Sequence, residues 1–386
     1  MVTGIVCEYN PFHKGHLYQI EKAKAMGSDS IVCVMSGNFV QRGESAFLSK
    51  QIRARAAVIS GADVVIDLPT PWAMASAETF ARGSIGLLQS FGIEALSFGC
   101  ENDDGDLLRS CADKLRDEST GLLIKSYTAE GASYPEAVSK ALTESLGEKA
   151  GKLVSSPNNT LAVEYIRQLS DKVIILPVKR QGASHDSEEA QDNIASASMI
   201  RKLSMSDEAL TFVPSDLVPL YKEADKYSLN YCERAILSAL RSMEKGEFSL
   251  YVSDNNGLDM RIYDAVQSAD SLESLYAMAK SKNYTHSRVR REVMNLWLKV
   301  RKDYSEGIPP YIKILAVSER GLSLLSSAKN NSDLPIITKH SETKNLTGKA
   351  KEIYEAECRN TDLFSLCCEK IKECSLEKKH SLIIVK

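Results

Sequence analysis

MVTGIVCEYNPFHKGHLYQIEKAKAM, residues 1–26, passes from an apolar strand through a short polar loop into an amphipathic helix, and that order decides the fold. The strand (Val2 to Val6) enters a loop holding Asn10-Pro11 and Gly15, and the helix begins near His16. His13 and His16 stand three apart, with Lys14 between them. Imidazoles at a helix N-terminus can donate to phosphate oxygens, and the unpaired backbone N–H groups and the helix dipole favour the same negative charge. Gly15 lets a nucleotide lie against backbone where a Cβ would intrude. Two surface histidines in a loop would be the plain alternative.

Working outward, the first two hundred residues repeat this strand–helix alternation. GIVCEY, SIVCVMSG, ADVVIDLP, IEALSFGCE and KVIILPVK are short apolar runs closed by turn residues. Helical patterns lie between them at 17–26, 49–60, 75–91 and 159–169. Continuous apolar strands separated by helices predict an α/β domain, a Rossmann-like parallel sheet covered on both faces. Ligands bind such sheets beyond the carboxyl ends of the strands, where the order reverses. The loop after the first strand, Ser36-Gly37-Asn38 and Gly99-Cys100-Glu101 should meet at that edge. After about residue 205 the pattern becomes mainly helical, around 231–243, 272–280 and 287–302. Pro309-Pro310 then breaks the chain before a small α/β tail (YIKILAV, helices, SLIIVK). The expected division is a nucleotide-binding domain at 1–205 and a mainly helical region at 206–386.

Composition narrows the classes. The chain has 386 residues, 43% apolar and 26% charged, with a net charge of −3, so any nucleic-acid contact must come from a local patch. No stretch has the apolar length of a membrane span. The nine cysteines form no C-x-x-C pair, and their odd number without a signal-peptide pattern points to a reducing cytoplasm. Cys358, Cys367, Cys368 and Cys374 lack histidines at ligand spacing, so buried thiols are expected there rather than zinc.

A second motif, Ser196-Ala197-Ser198-Met199-Ile200-Arg201, sets hydroxyls before a helix and aims an Arg fork at the same place. Alone it reads as a serine cap. Together, the two motifs resemble the H-x-G-H and S-S-T-x-I-R signatures of the nucleotidyltransferase superfamily. Arg42, in the polar run SGNFVQRGE, could bind a carboxylate or phosphate. Arg180 opens the loop 180–186, and Asn158 and Asn159 follow Ser156-Pro157 at a helix start.

The ordered set EYNPFHKGHLY, SGNFVQRGE, GADVVIDLP, SPNNTLAVEYI, VKRQGASHD and SASMIRK resembles the bacterial tRNA(Met) cytidine acetate ligase family, with a weaker likeness further on (RRE, PPYIKILA). The resemblance implies that ATP and acetate form acetyl-adenylate with release of pyrophosphate, and that N4 of the wobble cytidine of elongator tRNA(Met) is then acetylated. It implies ATP contacts from Val6, Cys7, Glu8, Tyr9, Asn10, Pro11, Phe12, His13, Lys14, Gly15, His16, Leu17, Tyr18 and Gln19. It implies further ones from Gly99, from one of Asn158 and Asn159, and from Arg180, with Ser196 and Ser198 closing over the phosphates. Catalysis then falls to His13, Lys14, His16 and Arg201, which would meet the charge on the α-phosphate and pyrophosphate. Mg²⁺ is expected on the phosphates. Asn10 stands where many superfamily relatives carry an acid, and Ala197 where they carry a second serine.

An RNA acceptor needs local basicity. Residues 280–313 supply Lys280, Lys282, Arg288, Arg290, Arg291, Lys299, Arg301, Lys302 and Lys313, interleaved with Tyr284, Trp297 and Tyr304. Cations meet phosphates and aromatic rings can stack on unpaired bases, so Arg288 and Arg291 are expected on the RNA face. Two other readings compete: a small-molecule adenylyltransferase, which leaves the C-terminal half without a task, and an RNA-binding protein on a decayed nucleotide fold.

Overall fold

In the computed structural model, ten strands among the described residues carry the architecture: β1 (Val2–Cys7), β2 (Ser30–Ser36), β3 (Phe39–Val40), β4 (Glu44–Ser45), β5 (Val64–Leu68), β6 (Ala95–Cys100), β7 (Ile174–Lys179), β8 (Ile312–Ser318), β9 (Ile336–Ile337) and β10 (Ile383–Val385). The structure describes residues 1–180, 195–253, 257–282 and 284–386. Eight of the strands form one sheet in the order β10-β8-β5-β2-β1-β6-β7, with β9 beside β8. β5, β2, β1, β6 and β7 are mutually parallel, as the apolar runs predict.

Alternation along the central strands shows why both faces are covered. In β2, Val32 and Val34 enter one core with the helices Ala77–Phe91 and Pro157–Gln168. Ile31, Cys33 and Met35 enter the other, with Lys14–Ala25 and Lys50–Ile59. Side chains point alternately up and down a strand, so a strand apolar at every position needs a lid on each side.

The tail departs from the expected layout. β8 pairs antiparallel with β5, and β10 lies parallel to β8, so residues beyond 311 extend the N-terminal sheet instead of standing beside it. The sheet therefore takes strands from both sides of the division drawn at 205. One reason is a close approach. The first turn of the helix Glu319–Asn331 packs on the start of β5, where a Cβ on Gly321 would stand 2.0 Å from the Asp63 carbonyl oxygen. Ser318 reinforces the contact, its N–H and Oγ each donating to Asp63 at 2.9 Å.

Buried charge ties the same tail to the core. Lys50 Nζ donates to Asp67 Oδ2 at 2.6 Å and to Glu377 Oε1 at 3.0 Å, and Lys313 also reaches Glu377. Lys313, expected on the RNA face, is thus interior; burial and the neighbouring Lys50 bring its ammonium down to about 7. The helical region has its own core, which contains Trp297, and Tyr284 packs there too. Tyr304 joins the core on one face of the sheet. All three rings are almost fully covered, at 5%, 8% and 6% exposure, which removes them as stacking platforms. Cys358, Cys367 and Cys368 are buried thiols and Cys374 is exposed. No helix among the described residues is long and apolar enough to cross a membrane.

Two outcomes test this assembly. Gly321→Ala should lower stability by about 1–3 kcal/mol in urea titration, although alanine alone favours a helix by about 1 kcal/mol. His380, beside the Lys50–Lys313 cluster, is pushed down to about 4 by burial and those two cations. As pH falls from 6.5 toward 4 the unfolded chain takes up a proton that folded His380 refuses, so stability drops across that window. Urea midpoints at pH 6.5 and 4.5 should converge in His380→Gln relative to the parent chain.

Candidate functional site

β1 and β6 are neighbours, and beyond their carboxyl ends the strand order reverses, the place where such sheets bind ligands. A cleft of about 210 Å³ opens there. One wall is the end of β1 with its loop, from Val6 and Cys7 through Glu8 and Tyr9 to Asn10, together with His16 and Gln19 of the first helix. The opposite wall holds Phe98, Gly99, Asn158 and Arg180. Arg42 comes from the β3–β4 hairpin, and Ser198 and Arg201 come from the short helix Ala197–Lys202.

The β1 loop is held by its own polar groups. Tyr9 sits at φ +46°, and its ring packs edge-on against Phe12 and His16. Asn10 Oδ1 accepts from the Phe47 N–H at 2.7 Å, and the Asn10 carbonyl accepts from Arg201 Nη1 at 2.8 Å. The residue that replaces an acid in the signature is therefore a clamp joining three segments. Ser198 Oγ accepts from Arg201 Nη2 at 3.3 Å, and Ser196 Oγ caps its helix through the Met199 N–H at 3.1 Å.

The histidines divide their work. His13 Nδ1 accepts from the Gly15 N–H at 3.0 Å, and His16 Nδ1 accepts from the His13 N–H at 3.3 Å, forming a capping box with the rings 3.8 Å apart. A neutral imidazole that accepts at Nδ1 carries its proton on Nε2, so both rings present Nε2–H donors. Only His16 lines the cleft; His13 is a buried N-cap. Other expected positions also fall outside the wall. Lys14 Nζ donates to the Thr211 carbonyl at 2.6 Å, Phe12 is core, and Leu17 packs on that core. Tyr18 lies under the Lys22 ammonium, and Pro11, Gly15 and Ser196 serve the backbone path instead of the wall. Asn159 is consumed internally, its Oδ1 taking the Glu101 and Asn102 N–H groups, which leaves Asn158 facing the cleft. Residues 181–186 of the expected edge loop lie outside the described residues.

Sequence reading missed Phe80, Leu161 and Tyr165, which complete the apolar part of the cleft, as well as Gln41 and Glu44. Asn158, Leu161 and Tyr165 follow helical spacing i, i+3, i+7, a signal for one shared face. It also missed Arg53. This fully buried guanidinium donates to the carbonyls of Leu48 (3.0 Å), Glu8 (2.6 Å), Ser36 (3.0 Å) and Gly37. Burial brings it down to about 10.

The expected RNA face is altered as well. Arg291 Nη1 donates to the Gln41 carbonyl at 3.4 Å, and Arg290 pairs with Glu44 at 2.6 Å, so this helix braces the hairpin. Gly43 makes the contact possible. At φ +73°, a Cβ there would stand 2.6 Å from the Arg291 nitrogen. Arg288 instead lies over the Tyr284 ring.

The match with known proteins spans this whole arrangement. A family model described as HIGH Nucleotidyl Transferase covers residues 1–379. The tRNA(Met) cytidine acetate ligase of Acetivibrio thermocellus is 34% identical over 400 residues, covering 95% of each chain. The chain belongs to the tRNA(Met) cytidine acetate ligase family. A family member from a Thermoanaerobacter species is also 34% identical, with 99% of each chain covered. Two crystal structures of Thermotoga maritima TmcAL, at 26% identity and full coverage, superpose with TM-scores of 0.91 (apo) and 0.89 (bound with alpha-thio ATP). The likeness to that solved protein therefore runs the full length of the chain.

Arg53→Lys keeps the charge but replaces a planar fork by a single ammonium that cannot serve four carbonyls. It should cost about 2–4 kcal/mol in urea titration. ATP affinity should fall with it in isothermal calorimetry, because the loops after β1 and β2 lose their common anchor.

Proposed function

We propose that the chain ligates acetate to the wobble cytidine of elongator tRNA(Met) in the cytoplasm, using ATP. An acetate oxygen attacks the α-phosphorus, the Pα–O bond to the β-phosphate breaks, and pyrophosphate leaves. The cytidine N4 then attacks the acetyl carbonyl, and AMP departs with the electron pair of the broken C–O bond.

The observation that carries this reading is the composition of the cleft at the β1–β6 crossover. It gathers donors from His16, Arg180 and Arg201 and offers, among the described residues, no thiol activated as a nucleophile. Among the described residues Cys7 is the one thiol in its wall. Its Sγ is engaged with the Val34 carbonyl, and burial raises its pKa well above the ordinary value, so this thiol is a poor nucleophile, which supports acetate as the attacker. In this reading Glu8, Tyr9, Asn10 and Gln19 line the nucleotide, Gly99, Asn158 and Arg180 take its base end, and Ser198 and Arg201 its phosphates. His16 Nε2–H and Arg201 meet charge building on the α-phosphate and leaving group. Burial holds the Arg201 guanidinium below its ordinary value while Glu44 and Glu8 pull it back up, so it stays cationic. His13 and Lys14 act by setting the helix start.

No group of three or more metal-ligating side chains occurs among the described residues, and Glu8 is already tied to the Gln41 N–H at 2.9 Å. Mg²⁺ therefore enters as a companion of the triphosphate, and no step is assigned to it. RNA recognition is assigned to the region after 205. There Lys280, Lys282, Lys299, Arg301 and Lys302 are exposed.

Pyrophosphate release from ATP should require acetate, and labelled acetate should pass to tRNA. His16→Ala should slow acetate-dependent pyrophosphate release by about 10²-fold; unchanged release would remove His16 from the site. Arg288→Glu combined with Lys302→Glu should spare that half-reaction, raise the tRNA KM and flatten its dependence on salt.

A further inference from the structure

A second, larger groove of about 760 Å³ adjoins the nucleotide cleft, and the two share Glu44, Ser198 and Arg201 in their walls. The hairpin around β4 and the helix Ala197–Lys202 form one side. The other side comes from the segment Lys226–Glu233, the start of the helix Leu272–Ala279, and Arg290. The groove is therefore a way into the cleft that is built by both halves of the chain.

Its lining suits one occupant, a single-stranded pyrimidine nucleotide. Lys202 and Lys226 are exposed cations on its wall, Lys226 Nζ donating to the Ser204 carbonyl at 2.7 Å, and their charge suits backbone phosphates. Tyr231 is 53% exposed and offers an aromatic face of the kind on which an unpaired base stacks. Two of the acids that could oppose RNA are already occupied. Glu233 Oε1 caps the helix at Leu272 with a 2.9 Å bond, and Glu273 pairs with Arg290 and His286. Hydrogen-bonding capacity is left on this wall as well. Tyr276 Oη and Arg290 Nε are buried without a partner among the described residues, and the Arg290 guanidinium lies 5.2 Å over the Tyr276 ring.

Glu44 stands where the two spaces meet. Arg290 Nη1 holds its Oε1 at 2.6 Å, and no hydrogen bond engages Oε2 among the described residues. A carboxylate is the group that accepts from the exocyclic amine of cytosine, whereas the carbonyl of uracil would be repelled. We propose that this groove receives the acceptor nucleotide and that Glu44 takes the proton its amine must lose. The N–C bond forms, the acyl C–O bond breaks, AMP leaves with that electron pair, and the N4 proton passes to Glu44 and then to water. The proposal rests on the acetate-ligase reading above.

The test separates the two half-reactions in the full-length chain. Acetate-dependent ATP–pyrophosphate exchange is one readout, and acetyl transfer to elongator tRNA(Met) is the other. Tyr231→Ala combined with Lys226→Ala should raise the tRNA KM about tenfold or more, with exchange as the check that the fold is intact. Glu44→Gln should lower kcat for transfer about 10²-fold at an unchanged tRNA KM, a loss well beyond any in exchange. Transfer by the Tyr231/Lys226 variant with the parent KM would overturn the groove, and equal losses of transfer and exchange in Glu44→Gln would overturn its role as proton acceptor. Absence of acetate-dependent exchange in the parent chain would instead defeat the acetate-ligase reading.

Discussion

The site hangs on one guanidinium. Arg53 has no acceptor capacity and no exposure, so it can be buried only where carbonyls converge, and they converge from the ends of β1 and β2 and from the turn before its own helix. Leaving such a charge unpaired would cost several kcal/mol, which makes the arrangement close to all-or-none. The loop after β1 carries Glu8, Tyr9 and Asn10 into the cleft, and the loop after β2 leads into the hairpin with Arg42 and Glu44. One residue outside both loops thereby sets the distance between them.

From that anchor the polar network runs outward. Asn10 joins the β1 loop to Phe47 through its side chain and to Arg201 through its carbonyl, so the Arg201 fork of one signature is tied to the loop that carries the other. Asn38 receives the Lys50 N–H and donates to Thr361, which in turn donates to Glu377. Phe39, the next residue, is fully buried among Trp297 and Phe364 of the helical core. The hairpin is therefore fixed at its root in one core and at its tip against Arg290 and Arg291.

What the sequence makes legible follows from the range of the interactions. Strands β1, β2, β5, β6 and β7 appear as apolar runs because both their faces are buried, and that is a local property. Their edge partner β8 also appears as a run, YIKILAV, but its pairing with β5 depends on Gly321 meeting Asp63 and on Lys313 meeting Glu377. No periodicity encodes contacts between residues that distant. Within the site, His16, Ser198 and Arg201 are readable because helix N-termini impose spacing. His13 and Lys14 share the motif yet serve the helix cap and the Thr211 carbonyl, a distinction that only geometry supplies. The aromatic residues among the basic ones misled for a related reason. Trp297 repeats with Val293 and Leu296 on the apolar face of its helix, and burial claimed it.

The placement of β8 and β10 also bears on how the chain is made. β5 is complete at Leu68, but the strand that covers its open edge ends at Ser318, and β10 follows only at Ile383. At about 5–20 residues per second, a ribosome leaves that edge bare for roughly 10–50 seconds. During that interval the nascent sheet presents unpaired backbone along an apolar strand, the condition under which strands recruit one another between molecules. Asp67 lies on this strand, so a charge destined for the interior stands guard at the edge until Lys313 arrives.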